Sequence, residues 1–302
     1  MRISFAVEKE KTLLWINQRK EEISRLTNAV SSGKKLTAPS DAPAFWAQAM
    51  GLKQGLREYD SVLGNIDFAV GWNQATDAAL NNVSDLISHA SQIAISATSA
   101  TGSDQRAALA SELDAIIEEM LKDANSQYGD QYVFAGTDNG SAPFSIDDST
   151  GVVTYAGDEG AVAVRTDRGA DSAQTVNLTG AQAFSYSSGG STLNVIHEVW
   201  ELKQAVSSAD STAINAKLGT LDDAFNAISQ QSAIVGSRLS GLDNRKSAIS
   251  LIKTNTEGRL SDIEDTDLAE GLTRLQQQTT AFEAALQVTA LVDDLNLANL
   301  LS

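Results

Sequence analysis

Apolar side chains recur at helical spacing along most of this 302-residue chain, and two of the plainest stripes sit at its ends. After Asp267, residues Leu268, Leu272, Leu275, Phe282, Leu286 and Thr289 follow at steps of three, four and seven. Val288, Leu291, Val292, Leu295 and Leu300 widen the band. This spacing predicts one face of a long helix. The stretch contains no Pro, and Asp267 with Glu270 three positions on reads as a capping box. A helix of this kind left alone in water is marginal. Each of its leucines stabilises by roughly 1.5–3 kcal/mol, and only if something covers it.

Residues 1–32 predict a second long helix, with Ile16, Ile23 and Val30 seven apart and Leu26 between them. Its charges lean basic, through Arg2, Lys9, Lys11, Arg19, Lys20 and Arg25. The closing stretch leans acidic, with Asp262, Glu264, Asp265, Asp267, Glu270, Glu283, Asp293 and Asp294 against Arg274 alone. Two apolar stripes of opposite charge could cover each other, or each could lie on the central body.

Between the ends the pattern is helical, then strand-like, then helical again. Gly33 reads as a left-handed cap after the first helix, and Pro43 as the first turn of the next, with Asp41 or Ala42 just outside it. Leu52, Tyr59, Ile66, Leu80 and Ile87 lie on a seven-residue lattice that carries helix to about Ala100. Gly51, Gly55, Gly64 and Gly71 interrupt it, each at about 1 kcal/mol against Ala, and mark close packing or a bend. Leu109, Leu113, Ile116, Met120 and Ala124 form another helical face. From Gln131 the texture turns to Gly, Thr, Ser, Asp and Val. Residues 152–155 and 161–165 read as strands joined by a turn at Gly157–Gly160, with a further strand at 175–178. Ser187 to Ser191 reads as the return to helix, which Asn194 to Val206 continues. Ile214, Leu221, Ile228, Val235, Leu242, Ile249, Thr256 and Ile263 then keep a strict heptad, flanked by Leu218, Phe225, Leu239 and Leu260.

The fold predicted is mainly α: a long antiparallel helical rod or coiled-coil bundle built from both chain ends, with a small β-rich inserted domain. Its expected parts are an N-terminal assembly helix and turn (1–42), a helical half-rod (43–130), the β-rich insertion (131–190), the second half-rod (191–265) and a C-terminal assembly helix (266–302).

Composition narrows the function. Net charge is −17, which makes nucleic acid and anionic membrane poor partners. With no cysteine, thiol and disulfide chemistry are excluded. The first ten residues lack the apolar core of a secretory signal, and no apolar run would span a bilayer. His89 and His197 have no second ligand at metal spacing and read as surface or packing residues. Asp138, Asp147 and Asp148 do not fit a calcium loop and read as a solvated turn. No phosphate loop, nucleophile elbow or zinc-protease motif occurs. We therefore expect no catalytic residue, metal or cofactor.

Several segments resemble the bacterial flagellin family. Ser31 to Leu36 followed by Pro39-Ser40-Asp41-Ala42-Pro43 is similar to the family's turn after its first helix. Arg238 to Arg245 and Leu260 to Ala269 are similar to its C-terminal region. Tyr132 to Thr137, Pro143-Phe144 and Tyr155 to Asp158, with Gln276 to Gln287, resemble the family's branch that joins hook to filament; Phe134, Gly136, Pro143 and Phe144 carry that motif. Ala38 before Pro39 departs from the family, where Ser-Pro or Ser-Ala is common.

The resemblance implies a non-enzymatic subunit of the flagellar axis, exported without a cleavable signal by the type III apparatus and located outside the cell at the hook–filament junction. It implies as partners other copies of the chain, a second hook-associated protein, the hook protein and flagellin. A cytoplasmic export chaperone is expected at the C-terminal helix. The expected assembly interface is Ile16, Ile23, Leu26 and Val30 with Leu268, Leu272, Leu275, Phe282, Leu286, Leu291, Leu295 and Leu300. Competing readings are the filament subunit itself, an enzymatic or adhesive module in the β insertion, and a cytoplasmic coiled-coil adaptor.

Overall fold

A computed structural model describes the backbone of residues 2–100, 102–169 and 172–301, and their side chains apart from residues 2–6, 8–9 and 291–301. The chain is 71% helical, with small antiparallel strand pairs between the long helices. The elements run α1 (Arg2–Ser32), α2 (Pro43–Ser99), α3 (Ser103–Ala124), β1 (Gln127–Tyr128), β2 (Gln131–Tyr132), β3 (Phe144–Ile146), β4 (Val153–Tyr155), β5 (Ala163–Arg165), β6 (Ala173–Thr175), α4 (Gly180–Phe184), β7 (Ser185–Ser188), β8 (Ser191–Asn194), α5 (Val195–Ser207), α6 (Ser211–Glu264) and α7 (Leu268–Leu301). They form two compact units, residues 58–251 and residues 1–57 with 252–302.

The unit of residues 58–251 has a dry core. On α2 Ile66, Leu80 and Ile87 are buried; on α3 Leu113, Ile116 and Met120; on α5 Val199 and Leu202. The α6 heptad faces the same core, with Ile214, Leu221, Ile228, Val235, Leu242 and Ile249 all buried. Polar ties fix the neighbours in place. Ser232 donates to Asp77 (2.7 Å) and Lys246 pairs with Asp67 (2.7 Å), which sets α6 antiparallel to α2. Lys203 of α5 pairs with Asp114 of α3 at 2.6 Å. Gly71 is the one lattice glycine here that needs to lack a side chain: a Cβ would strike the Tyr128 ring, whereas Gly64 faces open space.

The β region differs from its expected pairing. Residues 153–155 and 163–165 are strands, but they do not pair with each other: β3 pairs with β4, and β5 with β6. The Gly157–Gly160 segment instead folds back on residues 135–137, where Asp158 accepts from the Thr137 N–H (2.6 Å). The third strand lies at 173–175 rather than 175–178: the Val176 N–H still donates to the Val162 carbonyl at 2.8 Å, and the pairing ends there as Val176 and Leu178 enter the core. Ser187–Ser191 is not a return to helix. Gly189 and Gly190, at φ +60° and +85°, make the two-residue turn of a β7–β8 hairpin. Helix resumes only when the Asn194 side chain caps the Ile196 N–H at 2.9 Å.

The other unit is built differently. Among its described residues, Leu36 and Ala49 are its buried apolar side chains, while Val7, Leu13, Leu14, Phe45, Met50, Ile252, Leu268, Leu272, Leu286 and Val288 are exposed. The α6 heptad changes character on entering it: Thr256 and Ile263 are only half-buried. Leu221→Ala should therefore lower unfolding free energy by about 2–5 kcal/mol, against about 1 kcal/mol for Ile263→Ala, whose side chain has less burial to lose. Urea unfolding of the two variants followed by circular dichroism measures the contrast.

Candidate assembly interface

The terminal unit is held together where the two ends of the chain meet. Gly33, at φ +71°, closes α1 in the left-handed region that a Cβ disfavours. Its carbonyl accepts from the Thr266 N–H at 2.9 Å, and the Lys35 N–H donates to the Glu264 carbonyl at 2.7 Å. Lys34 and Asp265 form an antiparallel bridge between these bonds. Asp41 does not cap α2; its carboxylate accepts from the Thr37 and Ala38 N–H groups (2.9 and 2.7 Å), bracing the loop before Pro43.

Glu264 sits at the centre of this junction with a side chain only 4% exposed. Lys34 (3.1 Å) and Lys53 both pair with it. Burial opposes its ionisation, but the two ammonium groups outweigh that and hold its carboxyl below the usual 4.5. One buried carboxylate thus ties the α1–α2 connection, α2 and the end of α6 together.

From this junction α1 and α7 run antiparallel and pack on each other. Gly271 is buried on the first turn of α7, and a Cβ there would press on Val30 at 3.0 Å. Eleven residues back along α1, Arg19 donates to Gln278 at 2.6 Å while its guanidinium lies over the Trp15 ring at 5.0 Å. At 100° per residue, Gly271, Leu275, Gln278, Phe282, Ala285 and Thr289 fall within about 40° of one line, and all are half-buried or buried. Their counterparts Ile16, Arg19, Ile23, Leu26 and Val30 are half-buried too.

The expected interface therefore divides. Ile16, Ile23, Leu26, Val30, Leu275 and Phe282 meet in the α1–α7 seam. Leu268, Leu272 and Leu286, at 50%, 54% and 43% exposure, stand about 60–100° to one side and touch solvent. Leu291, Leu295 and Leu300 lie outside the residues whose side chains are described. Sequence reasoning missed Trp15, Arg19, Gly271 and Gln278. Arg19 falls on the lattice of Ile16, Ile23 and Val30, which a count by position rather than by apolar type would have found. The opposite charges of the two ends do not pair across the described seam. Arg25 pairs with Glu22 and Arg274 with Glu270, each on its own helix, because a partner three or four residues away is always within reach. The capping box at Asp267 is half formed: Asp267 accepts from the Ala269 and Glu270 N–H groups (2.9 and 3.1 Å), while the Glu270 side chain is the one that pairs with Arg274.

The motif residues come together elsewhere, in the unit of residues 58–251. Phe134 and Phe144 both pack edge-on to Phe184, with ring centroids 5.0 and 5.1 Å away, and Phe144 stacks obliquely on Tyr155. Gly136 has φ +76° and its missing Cβ makes room for Asp158. Pro143 is buried, its carbonyl accepting from the Ala156 N–H at 2.8 Å. These residues pin the small strand pairs to the helices. His197 contacts the Gly151 carbonyl (2.7 Å) and stacks on Trp200; His89 pairs with Glu112 at the surface. Asp147 caps its own turn through Ser149 and Thr150. Among the described residues no cluster of three or more His, Cys, Asp or Glu is arranged to hold a metal ion, and no helix is long and apolar enough to cross a membrane.

A mainly helical fold whose two ends close on each other through a half-covered seam defines the structural class. The bacterial flagellin N-terminal helical region matches residues 3–139 and the flagellin C-terminal helical region residues 218–301. The chain belongs to the bacterial flagellin family. It is similar to flagellar hook-associated protein 3 of Salmonella typhimurium, at 34% identity over 61% of this chain and 57% of that protein. The Escherichia coli protein of the same name is 29% identical over 48% of this chain and 46% of its own length, so the chain spans about half of the curated relatives it matches. In fold it is similar to FlgL of Xanthomonas campestris, with 17% identity, a TM-score of 0.61, and coverage of 70% of this chain and 99% of that one.

The buried junction makes a pH prediction. Because the Glu264 carboxyl is depressed in the folded state, its contribution is complete above the usual 4.5 and is lost as pH falls through the folded value. Glu264→Gln should lower the stability of the terminal unit at pH 7 by on the order of 1–3 kcal/mol, the lysines being free to turn to water. It should also flatten the loss of stability below pH 4.5. Thermal melts of both proteins from pH 7 to pH 3 check the two effects.

Proposed function

We propose that this chain is a structural, non-enzymatic subunit that joins hook to filament in the bacterial flagellum. The observation that carries the reading is the half-covered α1–α7 seam with Leu268, Leu272 and Leu286 exposed beside it, in a chain whose curated relatives are both named flagellar hook-associated protein 3. Segments 1–42 and 266–302 act as assembly segments in this account; 43–130 and 191–265 carry them, and 131–190 is the insertion. The interface is the set from Ile16 to Val30 with Leu268 to Leu300. Covering each exposed leucine in a neighbouring copy would contribute on the order of 1 kcal/mol, small singly and large around a ring.

The chain reaches the outside of the cell through the flagellar export apparatus, a cytoplasmic chaperone shielding the C-terminal helix beforehand. It then contacts further copies of itself, a second hook-associated protein, the hook protein and flagellin. The shared name of the curated relatives favours this reading over a filament subunit.

Leu286→Asp tests it. Because Leu286 is exposed in the single subunit, the variant should keep the circular dichroism and melting of the parent. It should fail to appear in flagella isolated from cells that make it in place of the parent. Incorporation at the parental level would refute the interface.

A further inference from the structure

The β7–β8 hairpin offers a second surface, far in sequence from the terminal seam. Its two-residue turn makes Ser188 and Ser191 a hydrogen-bonded pair, and Tyr186 with Leu193 the next. Alternation then turns the N–H and C=O of Ser187 away from β8, toward the strand's free edge. A groove of about 460 Å³ runs there, a size suited to a ligand. Every residue from Ser185 to Gly189 lines it and none of β8 does. Consecutive residues line a groove only along a strand's edge, since a face would show alternate ones.

The opposite wall is one face of α6, with Asp223, Asn226, Gln230 and Gln231. The walls are tied at one end: Tyr186 Oη donates to the Thr220 carbonyl at 2.8 Å, and Ser188 Oγ to Asp223 at 2.6 Å. Beyond those ties, the side chains of Asn226, Gln230 and Gln231 make no hydrogen bond to another described residue. The groove thus presents an unpaired strand edge, three amides that can each donate and accept, and a carboxylate with one oxygen uncommitted. It has no apolar hollow. A neutral small molecule would leave the strand edge unused, and an acidic partner would meet Asp223 beside Asp222.

We propose that this groove takes an extended, hydrophilic peptide strand of a partner protein, added along β7, with a Lys or Arg placed opposite Asp223. Backbone pairing with Ser187 gives affinity, and the α6 amides with Asp223 select polar and basic side chains. The groove and the seam of the terminal helices belong to different units of the chain, so either can fail without the other.

The test uses the full chain and a pool of random hexapeptides made from Ser, Thr, Asn, Gln and Lys. Exchange of the Ser187 amide is read by nuclear magnetic resonance. The pool should slow exchange of that amide at least tenfold at millimolar concentration, and its Lys-containing members should be the ones retained. Asp223→Asn should weaken their retention about tenfold. Ser187→Pro should abolish it, with circular dichroism checking that the chain still folds; the same peptides methylated on alternate backbone nitrogens should fail on the unaltered chain. An unchanged Ser187 amide across the pool, or methylated peptides held as well as the parent ones, overturns the proposal.

Discussion

Two helices laid side by side cannot bury a stripe that three or more can. That limit separates the two units of this chain. On α6 a single heptad register runs from Ile214 to Ile263, yet its positions are dry up to Ile249 and only half-covered at Thr256 and Ile263. The side chains barely change in kind along that register; what changes is how many neighbours surround them. In the α1–α7 seam the same deficit applies to both partners, and leucines remain in water beside it. So much uncovered apolar surface leaves free energy to be gained by whatever covers it.

The junction at Glu264 lets such a weak pair exist at all. Burying a carboxylate is expensive unless it is paired. Lys34 and Lys53 supply the pairing from the α1–α2 connection and from α2, and backbone bonds at Gly33 and Lys35 close the gap between the chain ends. The ion pairs and backbone bonds are thus gathered at the base of the helical pair, while Arg19 and Gln278 tie it further along. The aromatic knot of Phe134, Phe144, Phe184 and Tyr155 does the comparable task for the small strand pairs, where three-residue ladders would be too short to hold on their own.

Much of this was legible in the residues. The long helices were, because periodicity over dozens of positions averages out local interruptions such as Gly51 and Gly64. The heptad of α6 was, and so was Gly33 as a cap. The strand pairing was not. Each run is three residues long, and which runs meet depends on aromatic contacts distant in sequence, so the turn at Gly157–Gly160 suggested the wrong partners. Ser187 to Ser191 reads as a return to helix, although two adjacent glycines between short polar runs signal a tight turn. At the interface, apolar spacing found the stripe but not its division into a packed line and an exposed flank. That division follows from where one neighbour, α1, happens to lie. The charge asymmetry of the ends accompanies their packing on each other, but Arg25 and Arg274 pair on their own helices rather than across the seam.

Hydrogen exchange, read by mass spectrometry on the isolated subunit and again on the assembled form, addresses the half-covered seam most directly. The account predicts that residues 12–30 and 268–290 exchange far faster than residues 214–249 of α6 in the isolated subunit, and become slow once copies assemble. Equal, strong protection of both regions in the isolated subunit, unchanged on assembly, would contradict it.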